Sequence, residues 1–162
     1  MSARDDLLDL LLENARHSTA DLARMTDLSE EAVAAELAAL EDEGVVRGYQ
    51  AIVDWDKTDR EVVRANVELN VTLDRETSYQ DIAERIARFP EVRTLRLVSG
   101  DYDFQMEVEG ESMHDVSIFI SEKVAPVPEV TQTVTHYVMT TYKDRGVRFD
   151  DGDDDERLSV SP

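Results

Sequence analysis

The sequence predicts an α+β chain: a helical N-terminal segment, then a larger segment of four strands and two helices. Two observations predict it. Three short helical patterns follow one another over the first 44 residues. From residue 63 onward, stretches of apolar–polar alternation are interleaved with two helical patterns in the order β-α-β-β-α-β.

In the helical segment, Leu7, Leu8, Leu10, Leu11 and Leu12 give a first helix a broad apolar face. Asp5 and Asp6 fall in its first turn, where carboxylates meet the positive end of the helix dipole, and Asn14 and Ala15 end it. Ser18 or Thr19 caps a second helix from about Ala20 to Met25 that buries Leu22, Ala23 and Met25. Thr26-Asp27-Leu28 is a tight connection, and Ser29 caps a third helix. Val33, Leu37 and Leu40 fall there at i, i+4 and i+7 as an inward stripe, and Gly44 ends the helix. Val45 to Val53 reads as one or two short strands. Helices joined by about three residues fit a helix-turn-helix whose third helix enters the DNA major groove; they fit a plain three-helix bundle as well.

In the second segment, Val63, Ala65, Val67, Leu69, Val71 and Leu73 alternate with polar residues, a long strand with one wet face. Ser78 caps a helix with Ile82, Ala83, Ile86 and Phe89 inward, closed by Pro90. Val92 to Val98 is a second strand, Ser99 to Asp103 a turn, and Phe104, Met106 and Val108 mark a third strand. Val116, Ile120 and Val124 share a helix face, and Pro126 and Pro128 stop the helix. Val130, Val134 and Val138 mark a fourth strand, whose other face is Thr131, Thr133, Thr135, Tyr137 and Met139. This order is the ferredoxin-like arrangement of an antiparallel sheet with two helices on one face. The uncovered face is expected to mix apolar, threonine and tyrosine side chains and to pair with a second copy. Trp55 is expected to pack the connecting segment against one of the domains.

The expected organisation is a helix-turn-helix domain over 1–46, a strand linker over 47–60, a ferredoxin-like domain over 61–147 and an acidic tail over 148–162. The formal charge is −20, from 37 acidic and 17 basic residues. The three parts 1–60, 61–147 and 148–162 carry −9, −7 and −4, so the excess is spread over both domains. Fourteen of the basic residues are arginine and three lysine, the composition of a surface adapted to concentrated salt, although an ordinary acidic surface is an alternative. The tail is a like-charge run with few apolar residues and is expected to be disordered; its acids lack the spacing of a calcium loop.

The same reading excludes several classes. No apolar run reaches 18 residues, so no membrane partner is expected, and the acidic N-terminus does not read as a secretory signal. Without cysteine, and with three histidines on different elements, no metal site is expected. No nucleophile–histidine–acid set or phosphate loop appears, so neither an enzyme nor a cofactor is expected.

Leu40-Glu41-Asp42-Glu43-Gly44-Val45-Val46-Arg47-Gly48-Tyr49 and Ser99-Gly100-Asp101-Tyr102-Asp103 resemble two motifs of the Lrp/AsnC, or feast/famine, transcription regulators, as does the element order over residues 3–145. The first resembles the end of that family's recognition helix and the start of its linker, the second its effector loop. The resemblance implies a cytoplasmic regulator that dimerises through its C-terminal sheets and assembles into tetramers or octamers. It implies DNA as partner, and an amino acid or similar effector bound between dimers.

Such an effector needs donors for its carboxylate and acceptors for its ammonium group. Gly100, Asp101, Tyr102 and Asp103 can supply turn N–H groups, charge and a ring, and Thr133 and Thr135 can supply hydroxyls from a facing chain. A plain β-turn is the competing reading of the loop, and ordinary strand composition that of the threonines. The candidate DNA contacts are Arg24, Ser29, Glu30, Val33, Glu36 and Arg47. Here the chain departs from the family. Between Ser29 and Glu43 there are six acids and no basic residue. Phosphate contacts favour Arg and Lys, whereas glutamate can accept from cytosine and alanine can touch a thymine methyl. An assembly protein of the same fold that has lost DNA binding is the alternative.

Overall fold

Each helix of the N-terminal part begins at a serine. In the computed structural model, which describes residues 2–149, Ser2 precedes α1 (Ala3–Glu13), Ser18 precedes α2 (Thr19–Thr26) and Ser29 precedes α3 (Glu30–Asp42). Each serine Oγ accepts the N–H of the residue three positions on, at 3.1–3.2 Å, so an otherwise orphaned donor is satisfied. At the first two helices Asp5 and Asp21 reciprocate, accepting the serine's own N–H. Asp27 takes the left-handed conformation (φ +56°) that reverses the chain between α2 and α3. Gly44 (φ +71°) closes α3: its N–H donates to the Glu41 carbonyl at 3.0 Å and that of Val45 to Leu40 at 2.9 Å. Leu7, Leu22, Ala23, Val33 and Leu40 are buried, with Leu10, Leu11, Leu28 and Leu37 around them. Met25, expected inside, is 47% exposed, because in so short a helix it stands on the flank of the Leu22–Ala23 face.

The chain divides into two compact units, Met1–Ala51 and Ile52–Pro162. No strand forms between Val45 and Val62 among the described residues. The linker was expected to hold one or two, but a strand requires a neighbouring ladder, and none of the described residues forms one with this segment. In its place Asp54 caps a 3₁₀ turn at Trp55–Lys57, and the Arg60 guanidinium lies 5.2 Å from the Trp55 ring centre, both within the second unit.

The second unit runs β1 (Val63–Val71), α4 (Tyr79–Ala87), β2 (Val92–Leu97), β3 (Phe104–Gly110), α5 (Met113–Phe119) and β4 (Val130–Tyr137). A five-residue π-helical turn, Ile120–Val124, continues α5. The strands form one sheet in the order β2-β3-β1-β4, with every neighbouring pair antiparallel. Ala65, Val67 and Leu69 of β1 lie beside Val108, Met106 and Phe104 of β3. All six are buried against Ile82 and Ile86 of α4 and against Val116, Phe119, Ile120 and Val124.

Registration of β4 against β1 reverses the expected faces of the fourth strand. Thr133, Thr135 and Tyr137 stand opposite Leu69, Val67 and Ala65, on the helix side. The Tyr137 hydroxyl donates to the Met113 carbonyl at 3.1 Å. Val134 stands opposite Glu68, on the open side. The valine spacing misled because β4 is an edge strand, where helix cover is thinner and half-buried threonines are tolerated. The open face is accordingly polar, not the expected mixture: Asn66, Glu68 and Asn70 run between Gln105, Glu107 and Glu109 on one side and Gln132, Val134 and His136 on the other.

A further hairpin, β5 (Lys143–Asp144) with β6 (Val147–Arg148), turns on Arg145 (φ +47°) and Gly146 (φ +86°). Arg148, assigned above to the acidic tail, thus belongs to a folded hairpin, and the next residue, Phe149, donates its N–H to the Tyr142 carbonyl at 3.0 Å; the rest of that tail, 150–162, lies outside the described residues.

The capping carboxylates make stability depend on pH. Hydrogen bonds from Ser2, Ser18 and Ser78 hold Asp5, Asp21 and Asp81 below the ordinary aspartate range, and the Glu76 and Thr77 N–H groups do the same to Asp74. Their native pKa lies under the unfolded one, so the unfolded chain binds more protons in acid. The stabilisation is complete above the unfolded value of about 4 and is lost as pH falls through the depressed native values. Urea midpoints followed by circular dichroism are expected to fall steadily below about pH 4, and less steeply in a Ser18→Ala, Ser78→Ala variant.

Candidate functional site

Two surfaces were expected to carry function, one on each unit. On the first, α3 turns Val33, Leu37 and Leu40 inward. Val33 is fully buried and cannot meet DNA, which corrects its place among the candidate contacts. Glu36, half-buried, is ion-paired to Arg4 of α1 at 3.5 Å, so it too is turned into the unit. Arg4 also binds Glu43, and the Tyr49 hydroxyl donates to Glu41 at 2.9 Å. Neither Arg4 nor Tyr49 was among the predicted site residues, because pairings over 39 and eight positions leave no local pattern.

The other candidates are exposed. Glu30 stands at the start of α3. The Ser29 oxygen is occupied by the Ala32 N–H, which leaves its own O–H able to donate. Arg24 is paired to Asp21 at 2.8 Å, and Arg47 folds back over Gly44. Opposite the buried stripe, the outward side of α3 consists of Glu31, Ala34, Ala35, Ala38 and Asp42, all exposed.

On the second unit, the β2–β3 connection is anchored by Asp103. Its carboxylate accepts the Val71 N–H at 2.9 Å. Its own N–H donates to the Leu69 carbonyl at 2.9 Å, and its carbonyl accepts the Val98 N–H at 2.9 Å. Asp103 thereby fastens the turn to the end of β1. Gly100 adopts φ +129°, a conformation that L side chains rarely reach. Asp101 is exposed and Tyr102 half-buried. Thr133 lies across β1 from this turn, since Leu69 is flanked by Phe104 on one side and Thr133 on the other. Within one chain the turn and the threonines are therefore separated by a strand. Among the described residues no cluster of three or more His, Asp or Glu could hold a metal ion, and no helix is long and apolar enough to cross a membrane.

Residues 64–148 match the family described as Lrp/AsnC ligand binding domain, and residues 6–47 match winged helix-turn-helix DNA-binding. The chain is 39% identical over 158 residues to the HTH-type transcriptional regulator YugG of Bacillus subtilis, covering 97% of this chain and 95% of that one. It is 30% identical over 141 residues to the HTH-type transcriptional regulator PH0140 of Pyrococcus horikoshii, covering 86% and 85%. Among solved structures it is similar in fold to a transcriptional regulator of Neisseria meningitidis in complex with L-Met, with a TM-score of 0.72, 22% identity and coverage of 89% and 92%.

Proposed function

Because the chain belongs to the Lrp/AsnC family of DNA-binding transcriptional regulators, we propose that its assembly or DNA affinity responds to an amino acid held at the Gly100–Asp103 turn. The single observation that carries this reading is the division of labour within the turn. Asp103 is consumed in anchoring it, whereas Asp101 is exposed and Gly100 holds the turn in a backbone conformation of positive φ. An exposed carboxylate suits an ammonium group, and turn N–H groups suit a carboxylate. The Neisseria protein's complex with an amino acid agrees with that chemistry. Because β1 separates the turn from Thr133 and Thr135 within one chain, we assign the site to a junction between copies, which ties occupancy to assembly, in homodimers and their tetramers or octamers. A ligand that binds one assembly better than another shifts the equilibrium toward it.

The protein operates in the cytoplasm, in concentrated salt. At 1 M the screening length is roughly 3 Å, so repulsion between α3 and phosphate is largely suppressed, as is the gain from counterion release. Short-range contacts then carry the affinity. Mobility shifts with the gene's own upstream region are expected in molar KCl; no shift at any salt between roughly 0.1 and 3 M would overturn the DNA reading. Calorimetry across the twenty amino acids is expected to find one that binds the wild type and loses affinity in Asp101→Ala. Tight binding indifferent to that change would remove the turn from the site.

A further inference from the structure

We propose that Arg4 is a positioning residue for DNA binding: it holds the Glu36 and Glu43 carboxylates of α3 within the helical unit, away from the phosphates that the helix approaches. The inference rests on the reading that α3 is the DNA-facing helix. That helix and its cap carry six acids and no base from Ser29 to Glu43, and each carboxylate near phosphate opposes binding. Glu36 and Glu43 are seven residues apart, two turns of one helix side. The single guanidinium of Arg4 spans both, with Nε 3.5 Å from Glu36 and the terminal nitrogens on Glu43, one of them at 3.5 Å. A lysine ammonium offers a point charge and lacks this reach along the helix. One Glu36 oxygen is buried without a hydrogen bond, so the ion pair with Arg4 is what compensates it. In agreement, the Arg4 hydrogen bond holds the Glu43 carboxyl below its ordinary range, and Glu43 in turn raises the guanidinium.

The consequence is a sorting of the helix's charge. Glu36 and Glu43 are drawn to α1, and Glu41 is held by Tyr49. The outward side keeps Ala34, Ala35 and Ala38 between Glu31 and Asp42. Alanines permit the close approach that short-range contact requires, including contact with thymine methyl groups.

Fluorescence anisotropy of the full chain on a labelled duplex from the gene's own upstream region, from 0.2 to 2 M KCl, tests the role. Arg4→Met is expected to weaken binding about tenfold at 0.2 M and about twofold at 2 M, because the released carboxylates act through screened repulsion. Adding Glu36→Gln and Glu43→Gln to that variant is expected to restore affinity to within about twofold of wild type. A loss that is the same at every salt, or that the glutamine changes do not repair, overturns the proposal; either marks Arg4 as a mere tether between helices. If Arg4→Met fails to fold by circular dichroism, Arg4→Lys decides, since an ammonium cannot span both carboxylates. Weakening at 0.2 M that fades at 2 M and that Glu36→Gln with Glu43→Gln repairs supports the role, and unchanged affinity overturns it. Wild type that binds nowhere in the range overturns the DNA reading along with this one, whereas wild-type binding with inert variants overturns the Arg4 role alone.

Discussion

Replacing Phe104 by alanine is expected to destabilise the second unit by about 3–5 kcal/mol. Phe104 is 1% exposed and stands at the start of β3, beside Leu69 of the central strand β1. The Tyr79 ring packs edge-on to it, with centroids 6.0 Å apart, so the first turn of α4 loses its seat on the sheet as well. Domains of this size are stable by roughly 5–15 kcal/mol, so the loss is a large share of the whole. Urea unfolding followed by tyrosine fluorescence measures it. Phe104→Leu keeps most of the volume and is expected to cost less than about 1.5 kcal/mol. Because the two compact units have separate cores, the helices of the first unit are expected to keep their circular dichroism in Phe104→Ala at urea concentrations that already melt the sheet. A single transition shared by both units would contradict that expectation.

What could be read from the sequence was local. The serines before α2, α3 and α4 mark those helices because a cap is written in three or four adjacent residues. The alternation in β1 and β3 is strict because both are central strands with one fully covered face. Pairing across the fold was not legible. Which side of β4 faces the helices is set by its register on β1, and at an edge strand the composition is too permissive to reveal it. The β5–β6 hairpin rests on a left-handed Arg145 followed by Gly146, a weaker turn signal than asparagine–glycine. The acidity of α3 was legible as a total, but the partners of its acids were not. Arg4 meets Glu36 and Glu43 only once α1 and α3 pack together. The Gly100–Asp103 turn was legible as a motif, and its inner division was not: Asp101 and Asp103 are alike in sequence, and only the fold shows one spent on the Val71 N–H and the other exposed.

That division yields opposite expectations for two neighbouring aspartates. Asp103→Ala removes the acceptor of the part-buried Val71 N–H, and an orphaned donor of this kind costs about 1–3 kcal/mol. The turn is then free to leave the end of β1, and effector binding is expected to disappear even though Asp101 is untouched. Asp103→Asn keeps an oxygen for the same N–H while deleting the charge. If Asp103 acts by anchoring, the asparagine variant retains both stability and most of the effector affinity; if it binds the ligand's ammonium group directly, stability stays and affinity falls. Asp101→Ala behaves in the contrary way, with the melting temperature unchanged and affinity lost. Differential scanning calorimetry paired with titration calorimetry on the three variants separates these outcomes. Equal destabilisation by Asp101→Ala and Asp103→Ala would show that the turn is held by both carboxylates and that neither is reserved for a ligand. The opposite pattern would fix the direction of coupling: an effector held by Asp101 would press on a turn whose other end is fastened to β1, and its occupancy would be transmitted to the end of that central strand at Leu69 and Val71.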